Sequence, residues 1–127
     1  MKTMADTVRS FWEMIRAKEW EKLHDLLHEG FRAEFPQSGE WFTRQQFVSM
    51  NRSYPGEWSI RLRDLYQCEQ CVVTEVEVAI DGRTDRGISF FRVENGKVIH
   101  LREFWPEPFS IPEWRVALFA PGGPLHE

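Results

Sequence analysis

The sequence has few cysteines, no long apolar run and no excess of positive charge, and each absence excludes a class of function. Its 16 Lys and Arg residues are outnumbered by 20 Asp and Glu residues, which gives a formal net charge of −4. The basic residues are scattered, so nucleic acid and anionic membranes are poor partners. No apolar run approaches the roughly 20 residues of a membrane-spanning helix, and residues 1–6 do not resemble a signal peptide. We therefore expect a cytoplasmic protein with neither nucleic-acid nor membrane partners.

The two cysteines, Cys68 and Cys71, are spaced as C-x-x-C. A redox-active pair of this spacing opens a helix after a strand, where the helix dipole lowers the pKa of a thiol. Here the pair lies between two strand-like segments. A structural zinc site needs about four ligands, and the chain has no second cysteine pair. The motif therefore favours two reduced cysteines in or beside a hairpin over a redox or metal centre.

Large aromatic side chains are abundant, with six Trp and ten Phe in 127 residues. A chain of this length forms one domain of ordinary size and buries a core without covalent cross-links. Rings in this number usually fill a core, and they also line ligand sites and interfaces. We predict a single domain over residues 1–127, with its core in residues 4–106 and a Pro-rich C-terminal extension in residues 107–127.

Two capping boxes mark the starts of helices. Thr3 is followed three residues later by Asp6, and the apolar stripe that follows predicts a first helix over residues 4–17. Thr43 and Gln46 repeat the pattern, which predicts a third helix from Thr43 that ends before Pro55-Gly56. The loop before this helix is expected at residues 37–40.

A shorter second helix is predicted from the helical spacing of Trp20, Leu23 and Leu27, with Gly30 ending it. His24 and His28 would then lie one turn apart on this helix, a spacing that a metal ion can bridge. Because charged residues surround both histidines, a solvated helix face is the better interpretation. We expect no metal site.

Period-two alternation of apolar and polar residues predicts five strands. The first is half-buried and stops at Pro36, and Asp81-Gly82 and Asn95-Gly96 are hairpin turn signals in the later part of the chain. The predicted strands cover residues 31–35, 58–63, 72–80, 88–93 and 98–105. The last four form an antiparallel meander. After it, a short helical turn is expected at residues 113–118, and residues 121–127 are expected to be loose.

Three helices followed by a meander predict an α+β fold in which a curved, mostly antiparallel sheet packs on the N-terminal helices. A long meander twists and curls, so the first helix can lie in its concavity and leave a mouth at one end. We therefore expect a cone that encloses one apolar pocket.

Several local strings resemble the nuclear-transport-factor-2-like superfamily, in its SnoaL-like branch, over about residues 5–105. They are Phe11-Trp12 on the first helix, the segments 31–36 and 41–47, Asn51-x-x-Tyr54-Pro55-Gly56-x-Trp58, the stretch 90–98, and Glu103-Phe104-Trp105. The resemblance implies a cystatin-like α+β cone with a deep pocket and often a homodimer through the outer sheet face. It does not imply one function, because members include isomerases, cyclases, epoxide hydrolases, dehydratases and non-catalytic adaptors.

The resemblance also permits a test of known chemistries. Ketosteroid isomerases use a Tyr, an Asp base and a protonated Asp at positions that look like Phe11, Phe35 and Ser89 here, and none of these three can do that chemistry. In limonene-epoxide-hydrolase-like enzymes, Glu103 would match the Asp of the last strand. The strand that should supply the other two members of their triad, residues 74–78, has no Arg.

Glu103 is the main candidate for a catalytic residue. By the period of two, it shares a strand face with Ile99, Leu101 and Trp105. A carboxyl group among apolar side chains is desolvated, which raises its pKa and makes it a usable general acid or base. Two alternatives remain: this face is a dimer surface, or Glu103 pairs with an Arg such as Arg86 in a structural role.

Other residues are candidates for lining the pocket. Trp41, Asn51 and Tyr54 lie near the expected mouth, either orienting a ligand or packing and capping helix three. Asp85-Arg86-Gly87 is a polar segment whose charges pair with Glu103 or face solvent, and His100 is a weaker candidate for carrying a proton. The predicted lining residues are Trp12, Phe35, Trp41, Asn51, Tyr54, Ser89, Phe91, Leu101 and Trp105.

The sequence therefore supports three functions. The first is a cofactor-independent lyase, isomerase or hydrolase that acts on a small hydrophobic molecule, with Glu103 moving a proton. The second is a module that binds such a molecule without turning it over. The third is a dimeric association module, whose outer sheet face or Pro-rich segment meets a partner protein.

Overall fold

A six-stranded sheet forms the frame of the protein in the computed structural model, which describes residues 2–119. The elements in chain order are α1 (Met4–Arg16), α2 (Trp20–Leu26), β1 (Leu27–Phe35), β2 (Glu40–Thr43), α3 (Arg44–Arg52), β3 (Trp58–Gln67), β4 (Val72–Ile80), β5 (Arg83–Glu94), β6 (Lys97–Phe104) and a short 3₁₀ turn at Glu113–Arg115. The predicted α+β class is confirmed, with three helices and a mostly antiparallel sheet.

The strand order in the sheet is β2-β1-β6-β5-β4-β3. The meander from β3 to β6 is antiparallel throughout, as predicted. β1 adds to it through a parallel pairing with β6, and β2 pairs antiparallel with β1 at the edge. β6, the last strand among the described residues, therefore lies inside the sheet, between β1 and β5.

Two of the hairpin turns have the backbone that their residues demand. Asp81 and Gly82 have φ of 48° and 76°, and Asn95 and Gly96 have φ of 53° and 75°. Positive φ at both central residues matches the right-handed twist of the flanking strands, and Asn, Asp and Gly tolerate it best. These residues therefore fix the register of the β4–β5 and β5–β6 pairs.

α1 begins with the predicted capping box, in which the Thr3 side chain accepts from the backbone N–H of Asp6 and the Asp6 side chain accepts from that of Thr3. Its apolar face packs against the sheet. The Trp12 indole N–H donates to the buried Thr74 hydroxyl at 3.1 Å, which ties the helix to β4. α3 has the second predicted capping box, between Thr43 and Gln46.

The end of the second helix differs from the prediction. α2 ends at Leu26, and Leu27 is already extended, with φ −84° and ψ 137°. Gly30 lies inside β1, so His28 belongs to this strand and does not share a helix with His24. The reason is long-range: Leu27 pairs with Val98 of β6, and strand pairing outweighs the local helical pattern.

Two strands also depart from their predicted form. β2 was not predicted, since Glu40 was expected to end a loop and Thr43 to start a helix. It forms because residues 40–43 pair with β1. In β6, the register shifts opposite Arg92 and Val93, so that Val98 is fully buried and Ile99 only half-buried. The bulge puts Val98, rather than the predicted Ile99, on the inner face beyond Leu101.

The C-terminal region contains less helix than expected. The 3₁₀ turn covers Glu113–Arg115 within the predicted segment 113–118, and the predicted loose tail, residues 121–127, lies outside the described residues. Among the residues that the structure describes, no helix is long and apolar enough to cross a membrane.

Candidate functional site

A cavity of about 260 Å³ lies between the inner face of the sheet and helices α1 and α3. Most of its wall is aromatic or aliphatic, and polar groups enter at only a few points. The lining residues are Trp12, Ile15, Phe35, Phe47, Met50, Asn51, Tyr54, Trp58, Ile60, Val78, Asp85, Glu103 and Trp105. A few polar groups in an apolar wall are the usual composition of a small-molecule site.

Glu103 is the buried carboxyl group of this wall, with 5% of its surface exposed. Its Oε2 accepts a hydrogen bond of 2.9 Å from the Ser89 hydroxyl. Its Oε1 accepts one of 2.8 Å from the Trp105 indole N–H. Ser89 is its direct neighbour across the β5–β6 ladder. Both donors are neutral, so neither supplies a positive charge to the carboxylate.

Burial raises the pKa of Glu103 above its ordinary value. The hydrogen bonds from Trp105 and Ser89 act in the opposite direction and lower that pKa, because both stabilise the charged form. Desolvation is the largest of these effects. Desolvation therefore favours the neutral acid. Ser89 and Trp105 would stabilise the carboxylate that remains after the proton leaves.

Gly87 allows Trp105 to reach Glu103. A Cβ atom at position 87 would meet the indole carbons of Trp105 at 2.7–2.9 Å, closer than real side chains approach. The ring therefore covers the backbone of β5, two residues before Ser89 on the same face. A glycine here is a requirement for the close approach of the indole.

A row of polar side chains crosses the inner face at this level. Thr74 of β4 pairs with Ser89, and Ser89 pairs with Glu103. Thr74 and Ser89 are almost completely buried. Because Thr74 also accepts from the Trp12 indole, the row links α1 to the carboxyl group across three strands. Thr74 was not among the predicted site residues, although its inward position follows from the same period of two.

A second carboxyl group, that of Asp85, lines the same cavity. It forms an ion pair with Arg83 at 3.2 Å, and its side chain is 36% exposed. It was predicted as part of a polar segment early in the strand, yet β5 already begins at Arg83 and places Asp85 on the inner face. The two carboxyl groups thus have different environments, one buried with neutral donors and one partly exposed with a cation.

Five of the nine predicted lining residues border the cavity: Trp12, Phe35, Asn51, Tyr54 and Trp105. The Asn51 amide also donates to the backbone oxygen of Phe47 at 2.9 Å, so it both caps a backbone group within α3 and borders the cavity.

The other four lie elsewhere. Trp41 is 55% exposed on the edge strand β2, where the Arg32 guanidinium covers its ring, because residue 41 belongs to a strand and not to the mouth. Phe91 and Leu101 are fully buried in the core. Ser89 is also fully buried and acts on the site through Glu103.

Arg86, considered as a partner of Glu103, and His100, considered as a proton carrier, both have contacts on the outer face of the sheet. Arg86 pairs with Glu75 and Glu77 on the outer face of the sheet. The Nε2 atom of His100 lies 3.5 Å from a carboxylate oxygen of Glu34, across the β6–β1 pair on the outer face. Within residues 2–119, no group of three or more His, Cys, Asp or Glu side chains is placed to hold a metal ion.

Comparison with known proteins agrees with this architecture. The SnoaL-like domain family matches residues 8–101. A proposed ketosteroid isomerase from Kribbella flavida DSM 17836 shares 26% identity, with a TM-score of 0.88 over 94% of this chain and 90% of its own. An NTF-2 like protein of unknown function from Burkholderia xenovorans LB400 shares 24% identity, with a TM-score of 0.75 over 93% and 94%.

A more distant structure is an LEH-like epoxide hydrolase from M. tuberculosis, with 12% identity and a TM-score of 0.66 over 80% of this chain and 81% of its own. No curated protein matches the sequence significantly. The family match covers most of the chain, and the structural likeness extends over nearly all of it. The chain therefore belongs to the SnoaL-like branch of the nuclear-transport-factor-2-like superfamily.

Proposed function

We propose that the protein is a cofactor-independent acid–base enzyme that acts on a small hydrophobic molecule carrying an oxygen atom, with neutral Glu103 as the acid. The observation that carries this proposal is a carboxyl group that borders an apolar cavity and has neutral hydrogen-bond donors on both oxygens. A group whose charged form is desolvated, in a cleft, is a recognised sign of catalytic tuning.

The acid step follows from these contacts. A neutral carboxylic acid offers its proton to an oxygen of the bound molecule, such as a carbonyl, hydroxyl or epoxide oxygen. As the proton moves, negative charge develops on the carboxylate, and the Ser89 hydroxyl and Trp105 indole already point at it. These preorganised donors lower the free energy of the charged state without rearrangement.

Asp85 is the proposed base. It lines the same cavity as Glu103 and is held by Arg83. Two carboxyl groups in unlike environments take unlike roles, the buried one as acid and the ion-paired one as base. An isomerase or lyase would use Asp85 to remove a proton from carbon, and a hydrolase would use it to activate water.

The substrate is expected to be small and mainly apolar. The cavity of about 260 Å³ is near the lower end of the range for ligand sites, about 300–1,000 Å³. Aromatic side chains would hold the apolar body, and the polar atom would meet Glu103.

The comparison with ketosteroid isomerases supports an acid at this level of the sheet. In the resemblance, Ser89 occupies the position of their protonated Asp, and Glu103 lies directly opposite Ser89 on the next strand. The proposed acid of this protein, Glu103, therefore lies one strand away from the position of the acid in the isomerases. The position of their base is Phe35 here, so the base must come from another residue, and Asp85 is the one we propose.

The test is a screen of small enolisable ketones and epoxides, followed by NMR, with the wild type and three variants. Glu103→Gln and Asp85→Asn should each lower turnover by about 10²–10⁴-fold, the usual contribution of a general acid or base. Glu94→Gln, a change of an exposed carboxylate on β5, should leave the rate unchanged. If Glu103→Gln retained full activity on a substrate turned over by the wild type, Glu103 would not be the acid.

A second candidate function is ligand binding without turnover. Phe11 and Phe35 replace the tyrosine and the base of the isomerases, and Phe11 is fully buried. A ligand recovered chemically unchanged after long incubation, with affinity reduced in Glu103→Ala, would favour this function. Product accumulation would exclude it.

A further inference from the structure

Cys68 and Cys71 flank the tip of the β3–β4 hairpin. β3 ends at Gln67 and β4 begins at Val72, and these two residues are ladder partners. The backbone N–H of Cys68 donates to the carbonyl oxygen of Cys71 at 2.8 Å, which extends the pairing by one position. The two cysteines therefore face each other across the hairpin, with Glu69 and Gln70 as the turn.

This pairing places the two backbones at a distance that a disulfide can bridge. Opposite residues of an antiparallel pair have Cα atoms about 4.5–5.5 Å apart, and disulfides usually join Cα atoms about 4.4–6.8 Å apart. Opposite residues also direct their side chains to the same face of the hairpin. The turn differs from those of the β4–β5 and β5–β6 hairpins, since neither Glu69 nor Gln70 has positive φ.

The surroundings of the two thiols are unequal. Cys68 is exposed and Cys71 is half-buried, and both are free thiols. Burial is the main cause that raises the pKa of Cys71, and a hydrogen bond with the Cys68 side chain raises it further. The positive charges of Arg92 and Arg102 act in the opposite direction, because they favour the Cys71 thiolate.

We propose that Cys68 and Cys71 form a reversible intramolecular disulfide by exchange with a low-molecular-weight disulfide. The Cys68 thiolate, being exposed, attacks the small disulfide, forms a mixed disulfide and releases one small thiolate. The Cys71 thiolate then attacks the Cys68 sulfur, closes the protein disulfide and releases the second small thiolate. Two protein thiols are oxidised, one small disulfide is reduced to two thiols, and two protons pass from the protein thiols to the products.

Cys68 and Cys71 lie beside a contact between the sheet and α1. The side chain of Gln67, next to Cys68, accepts a hydrogen bond of 3.1 Å from the backbone N–H of Ala5 in the first turn of the helix. A disulfide at the tip of the hairpin would restrain the adjoining ends of β3 and β4, and with them the position of Gln67. The proposal does not depend on the acid–base function of the cavity.

The experiment is a redox titration of the reduced full-length protein. The protein is equilibrated without oxygen in buffers of reduced and oxidised glutathione. Its free thiols are then blocked with a maleimide, and its mass is measured by mass spectrometry. The wild type should lose two hydrogen atoms, bind no maleimide and carry no glutathionyl group. Cys71→Ser should instead accumulate one glutathionyl group on Cys68, because the resolving thiol is absent.

A parallel titration in urea separates the effect of the fold from that of C-x-x-C spacing alone. The ratio of disulfide to dithiol at a given glutathione ratio should be at least about tenfold higher in the folded protein. Three results would overturn the proposal: stable glutathione adducts on the wild type, covalent dimers in place of an internal disulfide, or equal ratios in the folded and unfolded chains.

Discussion

The carboxyl group of Glu103 makes stability depend on pH in a direction opposite to that of most acidic residues. Its pKa is raised by burial, so its contribution to stability is complete below the unfolded value of about 4.3. That contribution is lost as pH rises through the folded pKa, because the unfolded chain then releases its proton more readily. We predict that Glu103→Gln flattens this decline and is more stable than the wild type at pH 8.

Thermal unfolding from pH 4 to pH 8 measures this difference. Gln is a suitable replacement because its oxygen can accept from Trp105 while its amide donates to Ser89. Glu94→Gln, on the exposed side of β5, is the matched control and should follow the wild-type curve. A loss of stability at neutral pH in Glu103→Gln would contradict the prediction and indicate a carboxylate that the fold holds in its charged form.

The contact between Gly87 and Trp105 provides a second prediction for single residues. Gly87→Ala should displace the indole, since the new Cβ would lie 2.7 Å from it. Overpacking of this kind costs about 1–3 kcal/mol in the free energy of unfolding, and turnover should fall as the indole leaves Glu103. Gly30→Ala is the control, because its nearest atom is His28 Nδ1 at an ordinary 3.4 Å. Equal stability of the two variants in urea would contradict the prediction.

At the scale of elements, the hydrogen bond from Trp12 to Thr74 joins α1 to β4. Trp12→Phe and Thr74→Val each leave one buried partner unsatisfied, which costs about 1–3 kcal/mol. The double variant removes both partners, so its destabilisation should be smaller than the sum of the two. Urea unfolding of all four proteins measures the coupling free energy, expected at about 0.5–3 kcal/mol. Strict additivity would show that the bond contributes nothing to the attachment of the helix.

Elements with local signals could be predicted from the sequence, and elements formed by distant pairing could not. The capping boxes at Thr3 and Thr43 and the turns at Asp81-Gly82 and Asn95-Gly96 involve neighbouring residues only. The early end of α2 at Leu26 depends on pairing between Leu27 and Val98, which are far apart in the sequence.

The same distinction applies to the candidate site. The period of two predicted that Glu103 shares a strand face with apolar residues, and it left open whether that face is the interior or a dimer surface. It could not predict the bulge that exchanges Ile99 for Val98 on that face. Asp85 was not predicted to line the cavity, because Asp85-Arg86-Gly87 was interpreted as a polar segment whose charges pair with Glu103 or face solvent, whereas β5 continues through it.

At the scale of the whole molecule, the outer face of the sheet bears on the oligomeric state. Ile88 and Phe104 are paired across β5 and β6, and Phe90 packs edge-on against Phe104. Ile88 is 39% exposed, and the Arg102 guanidinium lies over the Phe90 ring. The resemblance implies a dimer through this face, and we predict a homodimer in which these side chains meet those of a second copy.

Light scattering after gel filtration checks this prediction. Phe90→Asp should convert the dimer to a monomer, because a charge would be buried at the centre of the contact. Gln45→Asp, a change of equal charge on the exposed side of α3, should leave the dimer intact. A wild-type monomer at micromolar concentration would contradict the prediction.

The position of β6 inside the sheet has a consequence for the order in which the protein can assemble during synthesis. β6 is synthesised after all the other described strands, yet it must insert between β5 and β1. Until it does, β1 lacks its parallel partner and the inner face lacks Glu103. Pairing between strands distant in sequence is slow to form, so a nascent chain that stops before residue 97 exposes an unpaired edge on both halves of the sheet. The same late step therefore brings Glu103 into the inner face and joins the two halves of the sheet.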